Sequence, residues 1–254
     1  MSLRNAAGPS SDQNALQQRS VVPVQQNSLV TVIIPVRNGE LYLGEAIDSV
    51  LKQTHPIHEV IVVDNGSTDG SRRTAERFGG MVRVIDEPVP CIGRARNAGV
   101  RAATGDLIAF LDADDLWDPP KLARQIEALH QQPEVDLVFT RMRDFISPEL
   151  TESQRANLLE LGTFDGWHAS TMLCRMAAFR AVGPMPEIPM GEFIAWYGLI
   201  QTAGLQGRMI PDVLVRRRLH LQNTTRQRKL QSGYLQAAKL VLDSKRARSR
   251  SQSA

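Results

Sequence analysis

The chain of 254 residues has only two cysteines, Cys91 and Cys174, far apart and in no paired motif. That scarcity excludes a disulfide framework and fits free thiols in a reducing, cytoplasmic setting. No stretch is long and apolar enough to span a bilayer, which argues against a polymer-exporting synthase. The N-terminus lacks a hydrophobic signal core, so export is not expected. A dominant charge is also missing: the formal net charge is +3, and the chain as a whole is not built to bind nucleic acid. The basic excess is local, in Arg216-Arg217-Arg218 and between Lys245 and Arg250. What is plentiful is hydrophobic residues, 42% of the chain, enough for a sizeable core in one domain with or without an appendage.

The two ends read differently from the middle. Residues 1–28 are rich in Ser, Gln and Asn without an apolar period, which predicts a disordered leader. Residues 244–254 are basic and Ser-rich and predict a second disordered tail. Such a tail could touch an anionic membrane surface or RNA weakly, or simply be solvated. Between the ends, strand and helix signals alternate. Val30 to Pro35, Glu59 to Asp64, Met81 to Ile85, Leu107 to Leu111 and Val135 to Thr140 are short buried-strand runs. Helical spacing follows each of the first four, with Asp118-Pro119-Pro120 reading as a helix start. This rhythm predicts an α/β fold with a mostly parallel sheet, whose ligands bind outside the carboxyl ends of the strands. Asn38, Asp64 with Asn65, and Asp112 to Asp115 stand at three of those ends. The second half is less regular. A helix is predicted over Glu192 to Ala203, a strand over Ile210 to Leu219, and a last helix over 226–243 that carries Leu230, Tyr234, Ala238 and Val241 on one face.

The strongest chemical signal is the abrupt end of Leu107-Ile108-Ala109-Phe110-Leu111 in Asp112, Asp114 and Asp115. Carboxylates at the mouth of a buried strand are costly unless a cation or a donor meets them. Asp112 and Asp114 could share one hard ion, magnesium or manganese. They could equally belong to a helix-capping cluster in which Asp118 takes the cap and Asp115 is solvated. Asp64 could accept hydrogen bonds from a base or ribose, or shape an Asx turn at Asn65-Gly66. Arg94 and Arg96 could face phosphate at a helix start, or lie on a solvated helix face.

Four motifs stand in order: Val32-Ile33-Ile34-Pro35-Val36-Arg37-Asn38, Val62-Val63-Asp64-Asn65-Gly66-Ser67-Thr68-Asp69-Gly70, Arg94-Ala95-Arg96-Asn97-Ala98-Gly99 and Leu111-Asp112-Ala113-Asp114-Asp115. Together they resemble glycosyltransferase family 2, over about Ser28 to His220. The resemblance implies a GT-A fold: a single Rossmann-like domain, its sheet flanked by helices, with a nucleotide-sugar half at 29–117 and an acceptor half at 118–225. It implies that Pro35, Val36 and Asn38 line the nucleoside pocket and that Asp64 meets the base. Arg94 and Asn97 would lie near the base or phosphates. Asp112-Ala113-Asp114 looks like the family's Asp-X-Asp element, with Asp112 on the ribose or sugar and Asp114 on the metal. Arg218-Leu219-His220 with Asn223 looks like the family's late Arg-X-His element, so His220 would meet the metal or the diphosphate, or be a satisfied histidine. Trp167 and Trp196 could stack on an acceptor or pack in the core.

An inverting transferase needs a carboxylate to take the acceptor's proton. The family usually places an acidic pair shortly before a Trp, whereas Phe193 and Ala195 stand in Gly191-Glu192-Phe193-Ile194-Ala195-Trp196. Glu192 is the one carboxylate left there, as base or as a helix-start residue. The expected function is therefore metal-dependent, inverting transfer of a sugar from a nucleotide-diphosphate donor, a uridine one, to an unidentified acceptor hydroxyl. The competing reading is a binding or scaffold protein that keeps the fold without turnover. A nucleotidyltransferase is disfavoured, because Asn38-Gly39-Glu40 is not a Gly-rich loop bearing Lys or Arg.

Overall fold

The structure is a computed structural model that describes residues 28–156, 161–223 and 232–252. The expected leader lies outside these residues except for Ser28, which is buried, with its carbonyl 3.2 Å from His55 Nε2.

One sheet organises the chain. Its first four strands are β1 (Val30–Val36), β2 (Glu59–Asp64), β3 (Val82–Asp86) and β4 (Leu107–Phe110), in the order β3-β2-β1-β4 and all parallel. Every residue of β1 is buried, as a central parallel strand covered on both faces requires. Alternation sorts its side chains. Val30, Val32, Ile34 and Val36 face one core with α1 (Glu40–Leu51) and α4 (Lys121–Gln131). Ile33 faces the other core with α3 (Ile92–Ala102), α6 (Met176–Val182) and α7 (Glu192–Thr202). The helix α2 (Ser71–Glu76) follows β2. Helix α3 lies so close to the sheet that a Cβ on Gly99 would fall 2.4 Å from Ile33 Cγ2.

Past β4 the parallel rule breaks. β5 (Leu116–Trp117), β6 (Leu137–Ile146), β7 (Thr163–Asp165), β8 (Leu173–Arg175) and β9 (Gly207–Leu219) complete the sheet. β8 enters antiparallel between β4 and β6, β9 runs parallel to β6, and β5 pairs antiparallel with β9. The sheet is thus parallel in its first half and mixed in its second. A short helix, α5 (Glu152–Ala156), follows β6.

The C-terminal expectation needs correcting. The last helix, α8, runs from Ser232 to Gln252, so residues 244–252 continue it instead of forming a separate structureless tail. Lys, Arg, Ala and Gln are good helix formers, and α8 is seated on α7, which supplies the packing that composition alone does not reveal. Residues 226–231 of the predicted helix lie outside the described residues.

Candidate active site

The loops after β1 and β2 hold each other at the carboxyl edge. Asn38 takes a left-handed conformation (φ 55°), which Asn tolerates better than most residues. Its Oδ1 accepts from Thr68 N at 2.8 Å, and its N–H donates to Ser67 Oγ at 3.1 Å. Asp64 is buried, and its Oδ1 accepts from Ser67 N at 2.9 Å, three residues on, so it closes the Asn65-Gly66 turn with a bond one residue longer than an Asx turn. Asn65 reaches the third loop: its Nδ2 donates to the carbonyls of Glu87 (2.8 Å) and Val89 (2.7 Å), while its Oδ1 accepts from Cys91 N (2.8 Å). Pro35 and Val36 are buried at the end of β1, beneath this lattice.

Helix α3 distributes its polar residues unequally. Arg94 is half-buried and bridges Glu87 (3.2 Å) and Glu187 (2.9 Å). Asn97 is buried and spends both ends of its amide on the backbone of Met185, at 2.9 and 2.8 Å. That clamp commits both ends of the amide to the protein's own backbone. Arg96 lies on neither a solvated face nor a helix start open to phosphate. It is 3% exposed, and its guanidinium spans two carboxylates, donating to Asp112 Oδ1 at 2.7 Å and to Glu192 Oε1. One buried cation thus ties the end of β4 to the first residue of α7.

The acidic loop is not a capping cluster. The Asp118 carboxylate pairs with Arg143 (3.3 Å) and Arg216 (3.1 Å), and Pro120 occupies the cap position of α4. Asp115 is buried, not solvated, and accepts from Arg218 N at 3.2 Å. Burial, followed by the charges of Asp114 and Asp112, pushes its carboxyl well above the usual carboxylate range. Asp112 goes the other way. Burial would raise it, but the Arg96 and His168 charges and hydrogen bonds from Arg96 and Ser170 hold it below the ordinary value. Asp114 shares its Oδ2 with His220 Nε2 at 2.9 Å, and Ala113 sits half-buried between the two carboxylates. Among the described residues, one group of metal-ligating type stands together: Asp112, Asp115 and His168 offer atoms within 4.8 Å of one another.

The second half supplies the rest of the wall. Arg218 is fully buried; it donates to the Asp114 carbonyl (2.9 Å) and to Glu45 (2.6 Å), with its guanidinium 4.8 Å from the Tyr42 ring centroid. His220 is buried beside Tyr42, and its Nδ1 accepts from Gln222 N at 3.3 Å, leaving Nε2 to carry the hydrogen toward Asp114. His168 faces Asp112 at 3.8 Å, and its Nδ1 accepts from Ser170 N at 3.3 Å. Next to it, Trp167 is 43% exposed and stacks on Tyr197 with centroids 5.4 Å apart. Trp196 corrects the acceptor expectation. It is fully buried, donates its Nε1–H to the Gly183 carbonyl at 2.9 Å and packs on Phe179, so no acceptor can reach it. Phe193 is also turned into the core, among Phe139, Trp196 and Tyr197. Glu192, at the start of α7, is 7% exposed and held by Arg96.

Sequence reasoning understated Arg96, Asp115 and His168. A signal for Arg96 was present: it lies three residues before Gly99 on the small-residue stripe of α3, the face that meets the sheet. His168 had none, because its place depends on a short helical turn, Ala169–Thr171, that no periodicity announces.

An acidic strand-end loop at the edge of this sheet, faced by loops from a mixed second half, defines a GT-A fold. Residues 31–181, more than half of the chain, match the sequence profile of Glycosyl transferase family 2, and the chain belongs to that family. An uncharacterized glycosyltransferase of Nostoc sp. is 46% identical over 102 residues, covering 39% of this chain and 32% of the relative. Among solved structures, S. aureus TarS 1-349 in complex with UDP-GlcNAc superposes with a TM-score of 0.69 at 18% identity, covering 85% of this chain and 66% of that one. A mannosyltransferase from Pyrobaculum calidifontis in complex with GDP-Man and Mn2+ gives a TM-score of 0.61 at 22% identity, covering 83% and 63%. The chain spans at most about two thirds of the curated relatives that head the comparison. No helix among the described residues is long and apolar enough to cross a membrane.

Proposed function

We propose that the protein moves a sugar from a nucleotide-diphosphate donor to an acceptor hydroxyl with inversion, and that Glu192 is the base. The observation that carries this reading is the Arg96 bridge, which brings a strand-end carboxylate of the donor half and a lone buried carboxylate of the acceptor half into one cluster. In the proposed reaction the acceptor oxygen attacks the anomeric carbon as its proton passes to Glu192. The bond from that carbon to the diphosphate oxygen breaks, and the nucleoside diphosphate departs with the electron pair. Arg96 fixes the Glu192 carboxylate. Trp167 offers an exposed aromatic face beside His168 on which a sugar ring can stack. Phe193 packs among Phe139, Trp196 and Tyr197 and Ala195 is fully buried, so Glu192 is the carboxylate that this segment offers.

The donor set suits a hard divalent ion. Asp112, Asp115 and His168 supply two carboxylates and an imidazole, and Asp114 stands on the same loop as the two carboxylates, met by His220 from the end of β9. Held by these residues, manganese or magnesium would supply positive charge against the diphosphate leaving group. The fold neighbours hold UDP-GlcNAc and GDP-Man, both nucleotide-diphosphate sugars, and a uridine donor is the first to test. A cytoplasmic setting accords with the unpaired Cys91 and Cys174.

Calorimetric titration of uridine diphosphate, with and without manganese, tests the donor site. Binding that needs the metal and is lost in Asp112→Ala or Asp114→Ala supports the reading. If no nucleoside diphosphate binds under any metal condition, the reading is wrong. Binding without donor hydrolysis, unchanged by Glu192→Gln, favours a nucleotide-binding scaffold instead.

A further inference from the structure

Helix α8 has two faces. Inward, it is locked to α7 and the loop before it: a Cβ on Gly198 would fall 2.4 Å from Val241 Cγ2, and one on Gly233 would fall 2.4 Å from the Met190 carbonyl. Ala237 between them is 1% exposed. Outward, a helical step of about 100° per residue puts Leu235, Lys239, Leu242 and Arg246 on one stripe, opposite Ala237 and Val241. Leu235 is 76% exposed and Leu242 is 53% exposed. The helix carries Lys239, Lys245, Arg246, Arg248 and Arg250 against the single acid Asp243, and the sequence at 224–231 adds Arg226, Arg228 and Lys229 with no acid.

We propose that α8 is a docking surface for an anionic phospholipid membrane. Leucines this exposed contribute nothing to binding a nucleic-acid phosphate backbone, which is met by Lys, Arg and polar groups. A second copy of the same face would set like charges against each other, because a two-fold interface is self-complementary. An anionic lipid surface satisfies both features at once: apolar side chains enter the acyl boundary while Lys and Arg meet the headgroups. The inward face sits on the start of α7, where Tyr234 and Ala237 close on Gly191 beside Glu192, and the proposed lipid-facing stripe is the opposite face. This inference stands apart from the donor reading, since vesicle binding needs no nucleotide.

The test is co-sedimentation of the full chain with vesicles of equal parts phosphatidylcholine and phosphatidylglycerol, against pure phosphatidylcholine. Binding should be at least about tenfold tighter on the anionic vesicles and weaken as salt rises. Lys239→Glu with Arg246→Glu should cost about a hundredfold, and Leu235→Ala with Leu242→Ala about tenfold. All four positions face outward, so circular dichroism and the unfolding midpoint should be unchanged. Equal affinity for neutral vesicles, or none for either, overturns the proposal. So does vesicle binding insensitive to the leucine pair and displaced by an RNA oligomer, which marks a nucleic-acid site. A dimer in sedimentation velocity that the leucine variants dissolve, without vesicle binding, likewise overturns it.

Discussion

The half up to β4 and the half after it solve the same problem by different means. In the first, four parallel strands end at one edge, and short loops cross-tie there through Asn38, Asp64 and Asn65. In the second, strand directions mix, and single long side chains reach back to the edge: Glu192 to Arg96, Arg218 to the Asp114 carbonyl, His220 to Asp114. The regular half positions groups by backbone, so its site is spelled out in local motifs. The irregular half positions them by tertiary contact, so its site depends on which partner each side chain finds.

The contrast can be broken most forcefully at Arg96. Arg96→Ala removes the cation that both halves share and leaves two carboxylates without it. It should destabilise the fold by about 3–5 kcal/mol, seen as a lower urea midpoint. A variant within experimental error of the wild type would mean that the halves are joined elsewhere. Next in size is Glu192→Gln, which keeps the shape and removes the proton acceptor. Donor hydrolysis or transfer should fall by about 10²–10⁴-fold while uridine diphosphate affinity stays within a few-fold. A parallel loss of affinity would place Glu192 on the donor side.

Smaller effects sharpen the picture. Trp167→Ala should lower stability by about 1–3 kcal/mol, since the ring is 43% exposed but leans on Phe139 and Tyr197, and raise the KM of any acceptor identified by screening about tenfold. An unchanged KM would remove the stacking platform. The last test is pH. Asp115 holds its proton in the folded chain above the ordinary aspartate value, so the folded state binds more protons than the unfolded one from about pH 4 upward, and stability falls as pH rises through that window. Asp112, held low, has the opposite sign: its stabilisation is lost only as pH falls through its lowered value. In metal-free buffer, Asp115→Asn should flatten the decline of Tm between weakly acid and neutral pH by a few degrees. For a chain of this size each kcal/mol shifts Tm by about 2–4 °C. Superimposable profiles for the two proteins would show that Asp115 ionises freely.

The strands, their order along the chain and the acidic edge were legible, because short continuous apolar runs ending in polar residues mark where a parallel sheet opens. The family resemblance on the same four motifs is confirmed by the match over residues 31–181. What was illegible shares one physical cause. Arg96 and Arg94 stand two residues apart on one helix, yet one is buried in an ionic bridge and the other is half in water. Trp167 and Trp196 have opposite exposures that no local pattern separates. β5 is two residues long, and the helicity of residues 244–252 depends on a neighbour met only in three dimensions.

The Arg96 bridge also has a consequence for how this chain can vary. Positions 96, 112 and 192 lie on α3, on the loop after β4 and on α7, yet a change at any one alters the cost of a change at the others. Substituting Glu192 alone leaves a buried guanidinium with half its counter-charge; substituting Arg96 alone leaves two acids facing each other. A new residue at position 192 is therefore reachable mainly along routes on which position 96 moves with it. A library that randomises the half after β4 while holding the half before it constant will discard variants that a paired library would keep.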